Sequence, residues 1–194
     1  ITHRAARIRI IQLYAQALDN LNNAVQHYTE AQHAAEDFQR SINERLSAPG
    51  AAEAPEHVAW EDLKKLVNPV AYQLQKSVAL QTLGSLYASH AQILADRIQL
   101  ASNLSKDLKA ANLKLPADLA VKNGAAQLKE AHQNTDKTFS AASDMEDNVL
   151  DAPLGSDSQK SSARVAKILT LYAWGDAQAF AGNMADARKH RLAS

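Results

Sequence analysis

Apolar residues recur at intervals of three and four along most of this chain, the spacing of helices that bury one face. From Ala5 to Leu46 a single seam runs through Ile11, Tyr14, Leu18, Leu21, Val25, Tyr28, Ala35, Ile42 and Leu46. Gln32 and Gln39 interrupt it at two seam positions, and Phe38 lies just beside it. At about 1.5 Å per residue such a helix extends roughly 60 Å, too long for a compact globule. The stretch from Ser47 to Pro55 holds two prolines, a glycine and small residues, and predicts an exposed loop. Val58 to Val67, with Trp60, Leu63 and Leu66, predicts a short amphipathic helix, and Asn68-Pro69 has the form of an N-cap followed by a first-turn proline.

The next helix is expected to run to about Leu115 with two apolar rows. One passes through Leu80, Leu83, Tyr87, Leu94 and Ile98, the other through Leu86, Ile93, Leu100, Leu104 and Leu108. Two rows imply a wide buried face and a central place in a bundle. Gly84 within it suits either the close approach of another helix or a mild kink. Pro116 opens a further segment with an alanine-rich stripe from Leu119 and Val121 through Phe139 to Val149 and Leu150. Asp151 to Gly155 ends it, and Ser156 with Gln159 forms a capping box for a last helix, which is expected to bury Val165, Ile168, Leu169, Tyr172, Ala179 and Phe180 and also carries Trp174. The pattern predicts an all-α fold in one domain over residues 1–194, an elongated antiparallel bundle of about four long helices plus one short one.

Composition agrees with this and narrows the function. The 194 residues are 46% hydrophobic but only 5% aromatic, with few Gly and Pro. Lys plus Arg equals Asp plus Glu at 21 each, so no bulk field exists to hold a phosphate backbone or an anionic membrane; nucleic-acid binding is not expected. Basic groups at Arg4, Arg7 and Arg9 and at Arg188, Lys189, His190 and Arg191 read as helix-end charges, the second offsetting a C-terminal dipole. There is no Cys and no apolar run long enough to cross a membrane, which predicts a soluble chain. A first residue Ile1 in place of Met predicts a fragment or a processed product, and leaves the compartment open.

No motif for catalysis, metal or cofactor stands out. The one Glu-x-x-His, Glu30 to His33, has no second copy to complete a site, and His33 falls off the apolar seam. No Gly-x-Ser-x-Gly turn or glycine-rich phosphate loop occurs, and the acidic group Asp144, Glu146, Asp147 and Asp151 lacks the spacing of a calcium loop. Three inward polar residues are the candidates for a ligand or a buried polar site: His90, on the apolar face between Tyr87 and Leu94, and Gln32 and Gln39 in the first seam.

One local resemblance exists. Trp174-Gly175 through Phe180, Gly182-Asn183, Met184 and Ala187 resembles the middle of a tetratricopeptide repeat. It covers fourteen residues, the repeat's later aromatic position falls on Arg191, and no second copy follows at a thirty-four-residue period. The resemblance implies a helix–turn–helix at Gly182-Asn183. The expected function is a non-enzymatic helical interaction or scaffold protein, an accessory subunit that binds a protein partner or associates with itself. The alternatives are the ligand-sensing bundle of a receptor, and a membrane-shaping module resembling BAR domains with a basic tip of Lys106, Lys109, Lys114, Lys122 and Lys129. The balanced charge speaks against the last.

Overall fold

A computed structural model describes residues 2–115 and 120–194, with side chains from Arg9 onward. Pro116 and Leu119, and the side chains of Arg4 and Arg7, lie outside the described residues. Among these, the fold is all-α with no strand: α1 (Thr2–Leu46), α2 (His57–Leu66), α3 (Pro69–Ala110), α4 (Gly124–Asp151), α5 (Asp157–Phe180) and α6 (Met184–Ala193), with a 3-10 turn at Ala51–Glu53. The sequence reading treats the chain as one domain. Contacts group it as two compact units, Ile1–Leu80 with Ala141–Ile168 and Gln81–Ser140 with Leu169–Ser194, and α3, α4 and α5 contribute to both.

In the first unit the seam of α1 is where the spacing puts it. Gln32, Ala35, Gln39 and Ile42 are buried, Tyr14, Leu18, Leu21, Val25 and Tyr28 half-buried, and Ile11 exposed. Gly50, at φ +79°, adopts the left-handed backbone that turns the chain after α1. The short α2 then returns along α1. Gln39 Nε2 donates to the carbonyl of Val67, and the Arg45 guanidinium lies 4.6 Å from the centre of the Trp60 ring.

Both predicted caps form and they meet. Asn68 Oδ1 accepts from the Val70 N–H at 2.9 Å, starting α3. The Ser156 N–H donates to Gln159 Oε1 at 3.0 Å and the Gln159 N–H to Ser156 Oγ at 3.2 Å, the reciprocal pair of a capping box. Asn68 Nδ2 also donates to Gln159 Oε1 at 3.2 Å, joining the starts of α3 and α5. Beside them Val70, Val149 and Ala163 close a small core, so the end of α4 meets the starts of both other helices. Here α4 runs antiparallel to α3 and α5.

In the second unit α3 and α4 are again antiparallel, since Gly84 faces Phe139 while Ile98, further along α3, faces Gly124 at the start of α4. A Cβ at Gly84 would stand 3.0 Å from the Phe139 ring. Because α3 continues unbroken through Gly84, close approach is the reading that holds. Buried hydroxyls in this unit are satisfied within their own helix, Thr135 donating to the Ala131 carbonyl and Thr138 to that of Asn134.

Four expectations need correction. First, α3 buries one row and not two: Leu80, Leu83, Ala91 and Leu94 are inside, whereas Ile93 and Leu100 are exposed. Second, α3 stops at Ala110. Asn112 takes φ +58°, its N–H donates to the Lys109 carbonyl and the Leu113 N–H to that of Leu108, a Schellman closure with Asn in the glycine position. Third, Val121 precedes α4, which begins only at Gly124. Fourth, α5 turns its small-residue face inward. Ala163, Ala166, Thr170, Leu171, Gly175 and Gln178 are buried, while Val165, Ile168, Leu169, Tyr172 and Phe180 are exposed. Hydrophobicity alone selects the large residues; packing against helices as close as α4 and α6 selects the small ones.

Leu94 and Ile93 are neighbours on α3 with opposite surroundings, 4% and 54% exposed. Leu94→Ala is expected to lose about 2–5 kcal/mol in urea unfolding through lost burial and a residual cavity. Ile93→Ala should stay within about 0.5 kcal/mol, as surface substitutions do. Equal losses at the two positions would reject this assignment of the face.

Candidate functional site

The densest polar arrangement among the described residues lies in the second unit, where α4, α5 and α6 meet. Gly182, at φ +83°, lets the chain reverse after α5: its N–H donates to the Ala179 carbonyl and the Asn183 N–H to that of Gln178. The final segment is therefore a helix–turn–helix at Gly182-Asn183, as the local resemblance implied, and not one unbroken helix. The absence of a side chain at Gly175 brings α6 close. A Cβ there would lie 2.9 Å from Arg191 Cγ and 3.1 Å from the Ala187 carbonyl oxygen.

Trp174 is the centre of this junction. Its ring is stacked on His190 of α6 at 3.9 Å between centroids and faces Phe139 of α4 at 6.4 Å. Its indole N–H donates to Asp136 Oδ1 at 2.9 Å, and the same carboxylate oxygen accepts from Gln178 Nε2. Gln178 Oε1 in turn accepts from Asn183 Nδ2 at 2.7 Å. Arg191 pairs with Asp176 and lies 5.8 Å from the Tyr172 ring centre. Asp136 thus holds two donors from α5, and Gln178 passes that restraint to the turn. Sequence reasoning named Trp174, Gly182 and Asn183 but not Asp136 or Gln178. Each is a polar residue on a helix whose apolar stripe does not include it, and only the pairing of α4 with α5 brings them together.

The residues singled out beforehand lie in separate places. Gln32 and Gln39 share the buried face of α1 in the first unit. Gln32 Nε2 donates to Glu36 Oε1 at 2.7 Å and its own Oε1 is buried without a partner, while Gln39 is bonded to Val67. His90 belongs to the second unit, half-buried on α3, where burial and then the charge of Arg97 hold its pKa below the usual histidine value. His33 is exposed, and Glu30 pairs with His27 at 3.6 Å. Among the described residues no group of three or more His, Asp or Glu could hold a metal ion, and no helix is long and apolar enough to cross a membrane. No protein-family profile, curated protein or solved structure matches this chain.

The stacking partner of Trp174 titrates. The pKa of His190 lies below the ordinary 6.5, because burial and then Lys189 outweigh the pull of Asp186 and Asp136 in the other direction. Detached, the imidazole binds a proton more readily than docked. The contribution of this contact is therefore full above about pH 6.5 and is lost as the pH falls through the docked pKa. In a Trp60→Phe background, Trp174 emission should report a reversible change as the pH is lowered from 7.5 through 6.5. His190→Gln should abolish that step. A step that persists in His190→Gln would assign it to another group, with His90 the next to examine.

Proposed function

We propose that this chain is a non-enzymatic helical interaction protein, working as a scaffold or accessory subunit. The observation that carries this reading is the outward face of α5 in the second unit. Leu169, Tyr172 and Phe180 are spaced at helical intervals on one side of that helix and are 54%, 55% and 65% exposed. Burying one such side chain contributes about 1.5–3 kcal/mol, so leaving several in water along one face forgoes stability that a partner helix would recover. A second helix laid against this face would seat those side chains in its grooves, as in helix pairs generally. Asp176 falls on the same side but is engaged by Arg191, which leaves the apolar side chains to carry the contact.

Replacing Tyr172 with a photoreactive phenylalanine analogue tests this directly. Irradiation is expected to yield a defined covalent adduct, with a second copy of the chain or with one protein from the native extract. Adding Leu169→Lys should remove the adduct while the far-ultraviolet circular dichroism stays unchanged, since position 169 faces water. No adduct under either condition, or one indifferent to Leu169→Lys, would refute the reading.

A further inference from the structure

A cleft of about 510 Å³ opens in the first unit where the start of α3, the end of α4 and the loop into α5 come together. Its size is within the range of small-molecule sites. Val70, Pro153 and Leu154 give it apolar walls, and Gln73, Asn148 and Asp151 supply the polar groups.

Two features of these polar groups point the same way. The first is Gln73, whose Oε1 is buried and makes no hydrogen bond. A buried acceptor left unmatched costs about 1–3 kcal/mol. Because no bond holds that oxygen, turning the amide toward the cleft breaks none and lets a donor there satisfy it. The second is the end of α4. A helix C-terminus carries partial negative charge and is ordinarily matched by a cation, yet the last turn of α4 has no basic residue and ends in the carboxylate of Asp151. The nearby lysines are committed elsewhere: Lys167 pairs with Asp147, and Lys160 packs over Gly155 in the loop.

We propose that this cleft binds a small organic ammonium carried on an apolar body. The ammonium has three donors and no acceptor, matching the Asp151 carboxylate, the helix end and the freed Gln73 oxygen. Its hydrocarbon part lies on Val70, Pro153 and Leu154. A metal ion does not suit the site, because one carboxylate and an amide are too few ligands for a hard cation and the apolar walls would go unused. The site belongs to the first unit and is independent of the α5 face, so either can fail alone.

Benzylammonium and its neutral counterpart benzyl alcohol are suitable probes on the intact chain, followed by nuclear magnetic resonance titration of the Gln73 side-chain amide. Benzylammonium should bind saturably and shift that resonance, benzyl alcohol at least about tenfold more weakly, the factor given by ~1.4 kcal/mol. Asp151→Asn and Gln73→Leu should each weaken benzylammonium by a similar factor with unchanged circular dichroism, and added salt should weaken it further. Equal binding of the charged and neutral probes, binding unaffected by both substitutions, or no saturable shift at millimolar probe would each overturn the proposal.

Discussion

The ring of Phe139 lies where a side chain on residue 84 would be, and the packing of the second unit follows from that contact. Phe139 is fully buried against the bare backbone of Gly84 on α3. On its other side stands Trp174 of α5, and on Trp174 lies His190 of α6. One line of contacts, glycine to phenylalanine to tryptophan to histidine, therefore crosses four helices. Glycine at the first position is the condition for the rest. With α3 held off by even one methyl group, the Phe139 ring must shift, and Trp174 must follow it or lose its bond to Asp136.

Small residues play the same part elsewhere. Gly124 admits Ile98 at the other end of the α3–α4 pair, Gly175 admits α6, and Ala163 closes the small core beside Val70 and Val149. Helices that approach this closely exchange large interdigitating side chains for short contacts, and many large apolar residues are left over. They appear on the outer side of α5 and on the second row of α3. The interior polar groups are kept by a related economy of space: Thr135 and Thr138 bond to their own helices, and Asp136 accepts two donors at one oxygen.

What the sequence revealed depended on whether the signal was local. The caps at Asn68 and at Ser156 with Gln159 were readable because their partners lie two or three residues away. The turn at Gly182 was readable because φ +83° favours glycine. The burial of α5 was misread. Its sequence carries a large apolar face and a small one, and the choice between them rests on neighbours more than thirty residues distant, Asp136 and Phe139. The end of α3 was overrun for a different reason, since an asparagine in a left-handed closure leaves a weaker trace than a glycine would. The Asp136 junction and the Gln73 cleft share the first difficulty: each joins polar residues from separate helices.

The most direct test of the account is Gly84→Ala, measured by urea unfolding of the intact chain. Alanine inside a helix is favoured over glycine by about 1 kcal/mol, so intrinsic propensity predicts a more stable protein. The added Cβ, however, would stand 3.0 Å from two atoms of a ring that is itself fully buried and backed by Trp174. Overpacking of that kind costs about 1–3 kcal/mol. The account predicts that the steric cost prevails: a lower unfolding midpoint and altered Trp174 emission. A Gly84→Ala protein stabilised by about 1 kcal/mol with unchanged emission would contradict it.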